Sequence, residues 1–179
     1  MVRMSKKVEG EIMNTMGIKV LFLDIDGVLN CMMPTPSDDH EFVDLDEWRY
    51  GFNPDLVARL RFIISKTNCK IVVSSSWKRH TNYAPYQPNR DWRDVLAEML
   101  HGTRDVFAGE TGYDNKGRRG IEINQWLSQH DCVESWCVVD DEVVDILPFI
   151  DQKNIVKTDM RNGLTIEDAR RIIDVLNKE

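Results

Sequence analysis

Residues 19–30 read KVLFLDIDGVLN. An apolar run of strand length carries the chain into two carboxylates, Asp24 and Asp26, with one residue between them. Gly27 and a second apolar pair follow. A strand that is apolar on both faces belongs inside a parallel sheet covered on both sides. Had the strand continued, Asp24 and Asp26 would point the same way, because successive side chains alternate. Gly27 signals instead that the chain is already turning. One carboxylate can then face a bound molecule while the other hangs above it.

Working outward, the remaining segments alternate in type. Asn53-Pro54 is a helix start, a cap followed by proline at the first helical position, and Leu56, Val57, Leu60, Ile63 and Ile64 recur at helical spacing. KIVVSSS is a second strand. Trp92, Val95, Leu96, Met99 and Leu100 mark a second helix, and DVFAGET a short third strand. Ile121, Ile123, Trp126 and Leu127 suggest a third helix. SWCVVDDE is a fourth strand that again runs into paired carboxylates. EVVDIL predicts a short helix stopped by Pro148, and NIVKTD a fifth strand. Thr165 and Asp168 form a capping box for a last helix with Ile166, Ala169, Ile172, Ile173 and Leu176 on its inner face. Strand and helix in alternation predict an α/β protein, a three-layer doubly wound parallel sheet of Rossmann type. Residues 1–16 read as a flexible tail and 17–179 as a single domain.

The totals narrow the function. A net charge of −7 disfavours nonspecific binding to duplex DNA, which needs clustered Lys and Arg. No run is long enough for a membrane span, and the N-terminus lacks the apolar core of a secretory signal. Cys31, Cys69, Cys132 and Cys137 form no CxxC pair, so a zinc site is not expected, and reduced thiols fit a cytoplasmic setting. Cys69 and Cys137 read as packed thiols; Cys31, close behind the opening motif, could instead touch substrate. The histidines are scattered and lack ligand spacing.

In open parallel sheets the site lies at the carboxyl ends of the strands. The first strand delivers Asp24 and Asp26 there, the second Ser74, Ser75 and Ser76, and the fourth Asp140 and Asp141. Clustered carboxylates cost energy unless a cation offsets them. Mg²⁺ suits a site of few carboxylates, several waters and a substrate phosphate. The two jobs that the DxD spacing separates are those of a nucleophile and a proton donor, and carboxylate nucleophiles that form aspartyl-phosphate are an established route for phosphoryl transfer.

DIDGVLN, a strand-end serine in IVVSSSW, a basic residue in GRRGIEI, and VVDDE resemble, in order, the four motifs of the haloacid dehalogenase-like (HAD) phosphohydrolase superfamily. The likeness runs from about residue 18 to 176, and with RRGIEINQWL and TDMRNGLT it is closest to small HAD domains associated with RNA-repair modules. The resemblance implies a Mg²⁺-dependent phosphoric monoester hydrolase. Asp24 would attack phosphorus and bind the metal. Asp26 would protonate the leaving oxygen and later activate water, its main-chain carbonyl also meeting the metal. Ser74 would bind a phosphoryl oxygen, with Ser75 its rival. Arg119 would supply the cation, with Arg118 and Lys116 as rivals. Asp141 would complete the metal shell with Asp140 beside it, and Asp145 would support the site from the next turn. An Asp two residues after the nucleophile marks the phosphatases and phosphotransferases of the superfamily, not its dehalogenases.

The interval 31–53 is too short for a large cap, so at most a minimal cover is expected over an open site. Such a site accepts a phosphorylated small molecule, a nucleotide or a nucleic-acid end. The loop from Trp77 to Trp92 mixes aromatic and basic residues and reads either as a cover that stacks a base or as a surface loop folded on the core. The rival function is a catalytically silent HAD-like domain that binds phosphate or nucleic acid, or serves regulation. The bland alternatives are a solvated strand end at Asp24 and Asp26, turn serines, surface arginines and an Asp140–Asp141 helix cap.

Overall fold

A computed structural model describes residues 17–32, 51–79, 91–102 and 104–178. The tail expected at 1–16, the cover expected mainly over 33–50, and the 80–90 part of the aromatic and basic loop lie outside the described residues.

Five strands form one sheet: β1 (Ile18–Leu23), β2 (Lys70–Val73), β3 (Phe107–Glu110), β4 (Val133–Asp140) and β5 (Ile155–Lys157). Their order is β3-β2-β1-β4-β5 and every pairing is parallel. The helices are α1 (Pro54–Thr67), α2 (Trp92–Met99), α3 (Arg119–Leu127) and α4 (Ile166–Leu176). The chain winds outward from β1 through β2 to β3, then crosses back to β4 on the other side of β1. This is the expected doubly wound α/β topology, and the reversal of winding opens a crevice beyond the carboxyl end of β1.

The apolar run of β1 explains its central place. Leu21 and Leu23 pack on one face with α1, α2 and α4, while Val20 and Phe22 pack on the other with Ile123 and Trp126 of α3. Phe22 meets Trp126 edge to face at 5.5 Å. Caps fix the helix ends: the Asn53 side chain accepts from the Asp55 and Leu56 amides, and Thr165 with Asp168 forms the full capping box. Cys69 and Cys137 are buried free thiols in this core, and Cys31 is buried as well.

The sheet ladder runs one step past the strands. The Asp24 amide donates to the Val139 carbonyl, Ser74 to Leu23, Thr111 to Val73 and Thr158 to Asp140, at 3.0–3.1 Å. The first residues beyond four strands are therefore held at one edge by backbone bonds.

The segment 142–147 differs from expectation. It forms turns rather than a helix. Ile146 and Leu147 donate to Val143, and Phe149 and Ile150 donate to Ile146, but Pro148 has no N–H to continue the series. Val143, Ile146 and Ile150 still bury their side chains against α3's face of the sheet. Among the described residues no helix is long and apolar enough to cross a membrane.

Candidate active site

β1 ends at Leu23, and Asp24 follows with only 5% of its surface exposed. The Ile25 carbonyl then accepts from Val28, Leu29 and Asn30, closing a tight turn. Gly27 takes φ +67°, and a Cβ there would lie 2.4 Å from the Asp141 carboxyl carbon. Glycine is thus required twice over, for the left-handed turn and for the close approach of Asp141. The Asp26 carboxylate is oriented from both sides: Trp77 Nε1 donates to one oxygen at 3.0 Å and Asn30 Nδ2 to the other at 2.9 Å. Trp77 is itself wedged against Phe52 and Trp92.

β4 delivers the second set of acids. One carboxylate oxygen from each of Asp24, Asp140 and Asp141 lies within 4.8 Å of the others. Asp140 is fully buried, accepting from the Glu142 amide at 2.9 Å and from Arg119 Nη1 at 2.6 Å. Burial pushes the Asp24 carboxyl well above its ordinary value, against the pull of hydrogen bonding from Ser75 and of the Arg119 charge. Burial and then the neighbouring Asp24 charge raise Asp140 further, and burial raises Asp141. These residues fit a hard divalent cation. Every donor is a carboxylate oxygen, the three converge within one coordination sphere, and their charge exceeds what Arg119 offsets.

Arg119 opens α3 directly above this acidic floor. Its amide and Nε donate to Asp145 Oδ2 at 3.0 and 3.2 Å, and Nη2 donates to Asp145 Oδ1 at 3.1 Å and to the Glu142 carbonyl. Nη1 bridges to Asp140 and stands 3.7 Å from Asp24. Burial works to raise the Asp145 carboxyl, but its hydrogen bonds from Arg119 prevail and hold it low. Of the three basic residues that the sequence leaves open, Arg119 is the one brought to the carboxylates. Arg118 forks onto Asp114 instead, at 2.8 and 2.9 Å, and Lys116 is exposed outside the cleft lining.

The end of β2 separates its serines. Ser75 is fully buried and its hydroxyl accepts from the Trp77 amide. Ser74 lines the cleft at 1% exposure, and its hydroxyl has no hydrogen-bond partner among the described residues. A buried hydroxyl without a partner is costly, and a phosphoryl oxygen in the cleft would satisfy it.

One element of the cleft lining was not singled out from sequence. Lys78 is buried, and its ammonium donates to Thr111 Oγ1 at 2.7 Å, the Gly112 carbonyl at 3.0 Å and Glu122 Oε2 at 2.6 Å. This ties the short 3₁₀ turn Ser76–Arg79 to the loop after β3 and to α3. The available signal was Glu122, a charge on the same helical stripe as buried Ile123 and Trp126. Together Asp24, Asp26, Ser74, Lys78, Arg79 and Arg119 help line an open cleft of about 650 Å³.

Residues 20–169 match the family described as the HAD domain in Swiss Army Knife RNA repair proteins. The chain belongs to this family. The match begins inside β1 and ends in α4, so it takes in most of β1, the other four strands and every carboxylate of the floor. A HAD domain is of a phosphatase-type family, and the acidic cluster stands where such a fold puts its chemistry. No curated protein matches the chain.

Proposed function

We propose that this HAD domain is a Mg²⁺-dependent phosphatase for phosphorylated nucleic-acid ends or nucleotides, working in the cytoplasm through an aspartyl-phosphate on Asp24. The observation that carries the reading is the setting of Asp24. A buried carboxylate faces the cleft between Arg119 and the Asp140–Asp141 pair, with a second, separately oriented carboxylate, Asp26, two residues away.

Asp24 Oδ attacks the phosphorus in line with the leaving oxygen. The P–O bond to the leaving group breaks as Asp26 gives that oxygen a proton. Water then attacks the same phosphorus, Asp26 takes its proton, and the acyl–phosphate bond breaks to return Asp24 and release inorganic phosphate. Arg119 Nη1 offsets charge that builds on the phosphoryl oxygens, and Asp145 holds its guanidinium in place. The free Ser74 hydroxyl donates to a phosphoryl oxygen. Asp24, Asp140, Asp141 and the Asp26 carbonyl would hold Mg²⁺, which when bound neutralises Asp24 and the phosphoryl group together.

Acid quench during turnover, followed by peptide mass spectrometry, tests the step directly. A phosphoryl adduct on the Asp24 peptide is expected, absent in Asp24→Asn. Turnover with no adduct overturns the covalent route. Mg²⁺ binding without turnover on any phosphomonoester leaves the silent binding domain as the reading.

A further inference from the structure

The cleft lining carries two cations that the proposed chemistry does not use, Lys78 and Arg79. Arg79 ends the 3₁₀ turn after β2 and is exposed on the wall of the same cleft as Asp24, Asp26 and Ser74. Arg119 is already matched by Asp24, Asp140 and Asp145. Lys78 has spent its three N–H donors on Thr111, Gly112 and Glu122, so it cannot meet a ligand without breaking a buried ion pair. Arg79 differs from both: no carboxylate among the described residues pairs with it. Its guanidinium instead lies 5.1 Å from the ring of Tyr113, which is 52% exposed.

That ring is held in turn. Lys78 Nζ sits 4.9 Å from the Tyr113 centroid, and the neighbouring Asp114 amide donates to Glu122. The buried Lys78–Glu122 pair therefore fixes both the turn that carries Arg79 and the loop that carries Tyr113. The result is a guanidinium positioned by an aromatic ring, on an acidic chain of net charge −7, at the wall of a phosphate-chemistry cleft. Such an arrangement suits a second anionic group flanked by something planar.

We infer that Arg79 and Tyr113 form a subsite for the phosphodiester and nucleotide adjoining the reacting phosphate, which selects a single-stranded nucleic-acid end over a lone phosphomonoester. The inference rests on the phosphatase reading and names the substrate class of that site. Arg79 takes the neighbouring phosphate, and a base stacks on the Arg79–Tyr113 surface.

The test uses the full chain, as wild type, Arg79→Gln and Tyr113→Leu, with each also made in the Asp24→Asn background for binding. The probes are a dye-labelled RNA hexanucleotide ending in a 3′-phosphate, the same RNA ending in a 5′-phosphate, a nucleoside 3′,5′-bisphosphate and an aryl phosphate. Arg79→Gln is expected to weaken binding of at least one phosphorylated hexanucleotide about tenfold and to reduce its salt slope by about 0.7, one phosphate contact. Tyr113→Leu is expected to weaken it about fivefold or more. The ratio of kcat/KM for oligonucleotide over aryl phosphate should fall about tenfold in Arg79→Gln. A loss confined to the bisphosphate would assign the second phosphate to a small nucleotide and overturn the nucleic-acid assignment. An Arg79→Gln protein with unchanged hexanucleotide affinity and salt slope, or with equal loss on both substrates, overturns the subsite. Failure of the phosphatase reading looks different: wild type releases phosphate from no probe, and the binding comparison still decides the role of Arg79.

Discussion

The two sides of the cleft are built on opposite plans. The floor, from β1 and β4, gathers Asp24, Asp140 and Asp141 with charge left over after Arg119 is counted. The wall, from the turn after β2, the loop after β3 and α3, balances Lys78 against Glu122 and saturates every donor of the ammonium. The floor carries more carboxylate charge than Arg119 offsets, as the proposed Mg²⁺ and phosphate chemistry requires. The Lys78–Glu122 pair within the wall is finished, as a strut should be. Damage to the floor should therefore cost chemistry and spare the fold, and breaking the Lys78–Glu122 pair should do the reverse.

The largest effect is expected at the floor's mouth. Asp26→Asn keeps the side-chain volume beside Trp77 and Asn30, gives up one of the two hydrogen bonds that the carboxylate accepts, and removes the proton relay. Turnover should fall by about 10²–10⁴-fold with the melting temperature little changed. A variant as active as wild type would remove Asp26 from the mechanism. Lys78→Met breaks the wall instead. It leaves Glu122 buried and unpaired, and unfolding by urea should show a loss of about 3–5 kcal/mol. A loss under about 1 kcal/mol would mean that the pair is not the strut described.

Acidity separates the two regions next. Burial holds the Asp24 and Asp140 carboxyls above the ordinary carboxylate range. The folded chain then keeps protons that the unfolded chain gives up, so stability is full below the unfolded value and is lost as pH rises through the raised folded values. Asp91, Asp114 and Asp145 are held low, and their contributions are lost only as pH falls below the ordinary carboxylate range. Without divalent cation, the melting temperature should fall by about 5 °C between about pH 4 and pH 8 from the floor carboxylates. Saturating Mg²⁺ should flatten that decline, because the ion binds their charged form. An unaltered slope with Mg²⁺ would speak against a metal at the floor.

The smallest effect is expected at Ser74. Ser74→Ala removes a hydroxyl that has no partner among the described residues and should leave stability unchanged or slightly raised. It should cost about tenfold in kcat/KM, the worth of one hydrogen bond to a phosphoryl oxygen. Ser75→Ala should act differently, since the Ser75 hydroxyl already serves the Trp77 amide.

The same contrast explains what could be read from sequence. The floor is local: an apolar run ending in DxD, and another ending in DD, are visible because strand and carboxylates adjoin. Together with the alternation of strand and helix they announce a doubly wound sheet and its active edge. The wall is not local. Lys78 acquires meaning only when α3 brings Glu122 to it from 44 residues away. Arg118 and Arg119 are adjacent and chemically alike, and they part company through Asp114 and Asp145, which the fold supplies. Ser74 and Ser75 differ by one position of strand length, and the ladder bond from the Ser74 amide to Leu23 decides which is which. The turns at 144–149 carry helical spacing in their apolar residues, and a single missing amide at Pro148 keeps them from continuing as a helix.

The central claim is that the floor holds Mg²⁺ and that Asp24 attacks phosphorus. Phosphate release from an aryl phosphate, with and without Mg²⁺, by wild type and Asp24→Asn, tests it most directly. The account predicts release that requires Mg²⁺ and vanishes in Asp24→Asn, while that variant still unfolds cooperatively. Release by Asp24→Asn at the wild-type rate, or release indifferent to Mg²⁺, would contradict it.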